Sequence, residues 1–428
     1  MIKRILIIIG FLPMLLKAQE VGSIQVLFDS LKTHPQTLTG ELNMEKALAG
    51  KKIATGMLYP TIDLFGAYNY ATSPSGMLPI APNELLAMVK DPSVAQPFSE
   101  NILRAGASIS MPIFAKSIYT MAAKAKTMYK SAAQKSYIDL LKDEAMIVSL
   151  NANLKYMNGM IKALEKKKQS IEKTKEIIEI KVNNQRAPKS ALLKINDALN
   201  QIDLAKSSIQ LKKSEAVSLI QSLTGVYITA DIAMQQTGTY TDSGLVALDP
   251  LRYKIEAERL NARAEKEKLW PMLVAQGNYN HSMADAYNND MGVNKDFATI
   301  NVVLKVPIFR KAQYSKIKMA NLEVQTLQND LAQKELELTA QAKQLQINLQ
   351  ILDNQVELYK QSVKDKEGLL KIAKVAFDNN RMPIEDYLKY EDDLLMEQSK
   401  FYKTEAQKWQ TLMKLAVIYG NNIENLVK

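Results

Sequence analysis

The chain has 428 residues, no cysteine, two histidines and a formal net charge of +10. The missing cysteines exclude disulfide scaffolding, thiolate metal sites, cysteine nucleophiles and a lipid-modified N-terminal cysteine. The modest positive excess, spread along helical stretches, reads as solvated faces and not as a nucleic-acid footprint.

Residues 1–18 read as a signal peptide: Lys3 and Arg4 start it, an apolar run follows, and Ala18 precedes a cut before Gln19. That run is too short to span a bilayer, and no later stretch approaches about 20 consecutive apolar residues. Export without a membrane helix leaves the periplasm, the cell exterior or an outer-membrane β-barrel.

Residues 22–56 have helical spacing, with Leu27, Leu31, Leu48 and Ile53 on apolar positions and an interruption at His34-Pro35. His34 reads as a helix-end residue with no second ligand near it, and His281 lies in an unrelated context. The period then changes to two. Ile62, Leu64, Gly66, Tyr68 and Tyr70 alternate with Thr61, Asp63, Phe65, Ala67 and Asn69, and Leu103 to Met111 alternate in the same way around Arg104. Strands with one apolar and one polar face fit a barrel with lipid outside and water inside; a sheet with one wet face gives the same alternation. The intervening residues 72–100, holding Pro74, Pro79, Pro82, Pro92 and Pro97, read as a long irregular loop.

No proline occurs from 116 to 182, a run that would extend about 100 Å as one helix. Leu150, Met157, Leu164 and Ile171 lie at heptad spacing, as do Leu140, Ile147, Leu154 and Ile161. Such a repeat demands a partner helix, which Ile195, Ile202, Ile209 and Leu223 supply on the return limb. Asn184, Gln185, Arg186 and Pro188 mark the turn between the limbs, and Gly225 the stop.

The chain then repeats itself without a gap. Pro112-Ile113-Phe114 recurs as Pro307-Ile308-Phe309, Asn184-x-Arg186-x-Pro188 as Asn379-x-Arg381-x-Pro383, and Gly225 as Gly420. The expected division is a first repeat at 19–225 (strands about 59–71 and 101–113, long helix about 116–182, return helix about 188–225) and an equatorial connector at 226–249. A second repeat follows at 250–420 (strands about 270–282 and 296–308, long helix about 311–377, return helix about 383–420), then a tail at 421–428. In the second copy Val324, Leu331, Leu338, Leu345, Leu352 and Tyr359 form the heptad stripe, and a loop at about 283–295 matches the proline-rich one. Asp63, Arg104, Asn278, Asn301 and Lys305 fall on polar strand faces and would face the lumen of a barrel. Four strands cannot close a barrel, so closure in lipid would require several chains.

The doubled order of helix, strand pair, long helix, turn and return helix resembles the TolC family of outer-membrane efflux proteins over essentially the whole mature sequence. Tyr59-Pro60-x-Ile62 and Trp270-Pro271-x-Leu273 resemble the family's approach to an outgoing strand. Pro112, Phe114, Pro307 and Phe309 resemble its strand-to-helix exits, and Phe377 to Arg381 with Asp386-Tyr387-Leu388 its tip and descending helix. The chain departs from the pattern where Gln185 and Asn380 replace the usual tip glycine.

The resemblance implies a mainly α fold with β: coiled-coil hairpins forming a periplasmic α-barrel, and four transmembrane strands per chain closing a 12-stranded barrel as a homotrimer. It implies an integral outer-membrane protein with a long periplasmic extension, the exit duct of a tripartite efflux or type I secretion system. A periplasmic adaptor, an inner-membrane pump and outer-membrane lipid would be its partners, with the adaptor opening the tips at Asn184, Gln185, Arg186, Pro188, Asn379, Asn380, Arg381 and Pro383. Conduction needs no bond chemistry, and no catalytic set, cofactor or metal is expected. Glu391-Asp392-Asp393 reads as a solvated or tunnel-facing patch and Lys166-Lys167-Lys168 as a solvated face. The rival reading is a secreted or periplasmic coiled-coil structural protein or adhesin.

Overall fold

The computed structural model describes residues 22–428, so the signal-peptide reading lies outside it. Helix α1 (Ile24–Thr33) starts where the Ser23 hydroxyl accepts the Gln25 N–H at 3.2 Å, and stops at His34, whose extended backbone suits a residue before proline. Pro35 opens α2 (Pro35–Gly56). Strand β1 (Thr61–Gly76), the short helix α3 (Pro82–Lys90), strand β2 (Phe98–Phe114), helix α4 (Lys116–Asn183) and helix α5 (Lys189–Thr224) follow. The second half runs through α6 (Asp249–Glu267), β3 (Met272–Asp285), β4 (Gly292–Lys305), α7 (Lys311–Asp378) and α8 (Ile384–Tyr419). Both return helices end on a left-handed glycine, Gly225 at φ 72° and Gly420 at φ 68°, a conformation that a Cβ would oppose.

The residues form two compact units. Met44–Ala133 and Pro250–Leu331 make the unit that holds the sheet. Its four strands pair antiparallel in the order β1-β2-β3-β4, leaving one edge of β1 and one edge of β4 unpaired among the described residues. Register sets the faces. Asp63, Ser108, Asn278 and Thr299 lie opposite one another across the strands, and so do Ile62, Ile109, Gly277 and Ile300. The missing side chain at Gly277 makes room for Ile109, whose methyl would lie 2.8 Å from a Cβ there. Pro112 sits inside β2 at a register shift against β3, where a strand tolerates the lost N–H.

The expected long loops are shorter than the alternation indicated. β1 and β2 run on past the alternating stretch, and α3 occupies part of 72–100. Between β3 and β4 only 286–291 remain outside the strands, closed by Ala286 N–H to the Met291 carbonyl at 2.8 Å. The two connections hold each other: Asn288 donates to the carbonyl of Val94 at 2.9 Å and accepts the Gln96 N–H at 2.9 Å. Beneath them Met77, Ile102, Ala286 and Val293 bury a small apolar cluster. Local proline content concealed this order, because cross-loop amide bonds and burial supply what local propensity lacks.

The second unit comprises the residues up to Asn43, Gln134–Asp249 and Ala332–Lys428. Its largest core joins α1 (Leu27, Phe28), α4 (Ile147, Leu154) and α5 (Ile220) to the ends of α8 and the tail (Leu412, Ile423). Segment 226–249 lies along α4: the Asn151 amide brackets Ile232, with N–H to carbonyl and carbonyl to N–H bonds both at 2.8 Å. Gln236 bridges to Val427, tying segment and tail. A separate core joins both hairpins, with Leu164, Ile171 and Ile178 of α4 against Ile195 and Ile202 of α5, Phe377 of α7 and Tyr387 of α8. Of the α4 heptad residues, Ile147, Leu154, Met157, Leu164 and Ile171 are buried and form its seam, while Leu140, Leu150 and Ile161 are half-buried.

Candidate functional site

Each hairpin turn is built the same way. After α4, Gln185 N–H bonds the Val182 carbonyl at 3.0 Å and Arg186 N–H the Lys181 carbonyl at 2.7 Å. After α7, Asn380 N–H bonds Phe377 at 3.0 Å and Arg381 N–H bonds Ala376 at 2.8 Å. This pair of bonds is the Schellman closure, which requires a left-handed residue. Gln185 and Asn380 fill that position, each at φ 56°. Pro188 and Pro383, in extended backbone, cap the return helices. The turns therefore keep the geometry that glycine usually supplies without having glycine.

Among the described residues, the exposed Arg186 and Arg381 form no ion pair, and Asn184 lies exposed beside them. Polar contacts link the two turns: Lys181 Nζ donates to the Asn380 side chain at 2.6 Å, and Lys194 pairs with Glu385 at 2.8 Å. Asn379 bonds the Val375 carbonyl at 2.8 Å. Lys374 lies over the Phe377 and Tyr387 rings, which stack at 5.1 Å.

Below the turns the acidic and basic runs depart from the solvated reading. Glu391 is buried at 4% exposure and accepts from Tyr387 and from Ser170, both at 2.6 Å. Burial first, and then the Glu391 carboxylate, raise the Tyr387 hydroxyl above its ordinary pKa. Asp392 pairs with the buried Lys167, Asp393 with Lys366 at 2.8 Å, and Lys168 with Asp203 at 2.7 Å. Packing of the two hairpins brings these runs together, so the charges become interhelical ties. The three carboxylates diverge to different partners, and the described residues hold no metal-binding cluster.

On the sheet, Asp63 and Asn278 share one cross-strand row, Asn301 the next, beside Ser110 and Gln276. Arg104 donates to the Gly76 carbonyl at 3.1 Å, and Lys305 lies opposite Met272 at the strand end. The opposite face carries exposed apolar side chains: Ile62, Leu64 at 83%, Ile300 at 88%, Val302 and Leu304. Near its loop end Asp296 accepts from Tyr279 at 2.7 Å and contacts His281 at 2.8 Å; only the register places these residues together. At the junctions Pro60 and Pro271 immediately precede β1 and β3, Phe114 ends β2, and Pro307 and Phe309 lie between β4 and α7. Lys116 stands over the Trp270 ring at 3.6 Å. No helix of the described residues is long and apolar enough to cross a membrane.

No family profile matches the sequence, and no curated protein matches it. Solved structures do. The outer membrane protein VceC of Vibrio cholerae superposes with a TM-score of 0.76 at 14% identity, covering 92% of this chain and 96% of that one. The CmeC outer membrane channel of Campylobacter jejuni gives 0.76 at 15% identity, covering 93% and 85%. This is the fold of TolC-family outer-membrane channels. The open-state MtrE channel of Neisseria gonorrhoeae shares it at 0.73 and 12% identity, covering 93% and 89%. A match over nearly the full length of each chain means that the channel fold accounts for the strand pairs as well as the hairpins.

Proposed function

We propose that this chain is an outer-membrane channel, the exit duct of a tripartite efflux or type I secretion system, and that it conducts passively as a homotrimer. The observation that carries the reading is the four-stranded sheet whose two outer edges are unpaired among the described residues and whose apolar face exposes Ile62, Leu64, Ile300, Val302 and Leu304. Neither feature is stable in water, and both are resolved when several copies close one barrel in lipid. Solved outer membrane channels with this fold support the same assignment. The signal-like N-terminus agrees with export.

The helices carry a second unsatisfied surface. Leu336, Ile347, Leu358 and Leu369 of α7 recur at eleven-residue intervals and are all exposed, and the exposed Leu193 and Leu204 of α5 repeat that interval once. That interval keeps a row nearly straight along a helix, the pattern for lateral packing against further helices. The turns, with the exposed Arg186 and Arg381, would meet the periplasmic adaptor and set whether the duct is open. The role needs no catalyst.

Separating the membranes of expressing cells and measuring particle mass after mild detergent extraction tests the assignment. A trimer in the outer-membrane fraction is expected; a monomer or dimer in the periplasm would replace the channel by a coiled-coil scaffold. Substituting Arg186 and Arg381 together is expected to change leak or adaptor coupling, and unchanged export would remove the turns from the gating role.

A further inference from the structure

The polar face of the sheet is not open over its whole length. Cross-strand rows carry that face from Asp63, Ser108, Asn278 and Thr299 to Ala67, Arg104, Ser282 and Lys295, four residues nearer the loops. Ile102 and Val293 lie one row further on the same face. A face that lined a water-filled lumen would leave these side chains wet, yet Ile102 is fully buried and Ser282 is 1% exposed.

What covers them is the connection between β1 and β2. Its residues Met77, Leu78 and Ala95 pack with Ile102, Ala286 and Val293. The inward course starts at a bulge: between Tyr70 and Ser75, residues 71–74 of β1 stand against Glu100 alone of β2. Extra residues of this kind bend a strand and re-aim it. Arg104 fixes the direction, donating from the polar face to the Gly76 carbonyl at 3.1 Å, and Ser282 donates to the Met77 carbonyl at 3.4 Å. The far end is held by Asn288, which bonds both Val94 and Gln96, while the Gln96 amide donates to the Met88 carbonyl at 3.4 Å. Met77 N–H bonds the Pro97 carbonyl at 3.0 Å, so residues 78–96 leave and rejoin the sheet at one point.

We propose that residues 78–96 are an inward-folded lid at the loop end of the barrel, latched by Arg104, and that this lid limits the size of what passes the outer mouth. The inference rests on the channel reading. Twelve strands about 4.8 Å apart and tilted by about 40° close a ring roughly 24 Å across. Three lids, each carrying α3 at a helix thickness of about 10 Å, would fill most of that ring. The lid is held by side-chain bonds and one small apolar cluster, outside the strand ladder, so it can lift while the ladder stays paired.

The chain has no cysteine, so a single introduced thiol is its only one. Asp63→Cys places that thiol on the polar face below the lid, and Leu64→Cys places it on the apolar face. Intact cells are treated from outside with a compact charged thiosulfonate and with a bulky sulfonated dye maleimide. In Asp63→Cys the compact reagent is expected to react and the dye to be excluded. Replacing 78–96 by Asn-Gly, or adding Arg104→Met, is expected to raise the dye rate several-fold and to leave the compact rate and the particle mass unchanged. A rise in the shortened chain alone keeps the lid and overturns Arg104 as its latch. Equal dye rates with and without residues 78–96 overturn the lid and leave the channel standing. Dye reaction at Leu64→Cys as fast as at the opened Asp63→Cys would show that the apolar face meets water, which overturns the channel and the lid together.

Discussion

At the turns, two side chains do what glycine does elsewhere at lower cost. Asn380 tolerates the left-handed region because its short amide bonds locally, but Gln185 has no such relief. Gln185→Gly is expected to stabilise the hairpin by about 1 kcal/mol, and Asn380→Gly by less, measured by chemical denaturation. A destabilised Gln185→Gly would mean that the side chain makes a contact worth more than its strain. Glu144 has a different kind of constraint. Buried at 3% exposure, it has its carboxyl pushed up to about 7, by burial first and then by the Glu424 carboxylate, with Lys32 pulling the other way. Lys32 itself is committed to Glu424 at 2.5 Å, and Asp143 adds further negative charge. The folded chain therefore keeps a proton that the unfolded chain releases near 4.5, and stability falls as pH rises from there to about 7. The loss is on the order of 3 kcal/mol. Glu144→Gln is expected to match the parent at about pH 4 and exceed it at about pH 8 in thermal melts. A parallel pH profile would show that the carboxyl is hydrated in solution.

At the scale of the elements, the hairpins are held by close approach as much as by apolar seams. A Cβ at Gly159 on α4 would lie 2.8 Å from the Tyr402 ring of α8. Gly159→Ala is therefore expected to destabilise the unit, although alanine is intrinsically the better helix former by about 1 kcal/mol. With Tyr402→Ala the same change becomes stabilising by about that amount, a reversal that a double-mutant cycle reads directly. Failure to reverse would mean that α4 and α8 do not meet at this point in solution. The seam itself was legible: the heptad Met157, Leu164 and Ile171 is buried as the spacing requires. The charged runs were not, because Lys167 and Asp392 are distant in sequence and meet only after two hairpins pack. Position on a helix says which way a side chain points; it does not say whether another helix is there to receive it.

At the scale of the molecule, the proposed assembly rests on surfaces that water leaves unsatisfied. On the proposed channel reading, further copies of the chain would cover both the exposed row on α7 and the edges of β1 and β4 that are unpaired among the described residues. Ile347→Asp with Leu358→Asp is expected to leave the helical content of the chain unchanged and to reduce the particle mass by light scattering. An unaltered particle mass would show that the row meets lipid or solvent and not a neighbour.

The sequence by itself determined the duplication, the strand pairs, the lengths of the helices and the places where they turn. These follow from period, proline and glycine, which act within a few residues. Tertiary structure alone decided the order inside the proline-rich loop and the burial of Glu391 and Glu144. Each of these depends on which segments become neighbours, and a local period does not encode that. The left-handed Gln185 lies between the two: the turn could be read from its flanking residues, whereas its geometry without glycine is set by the two backbone bonds that close the helix.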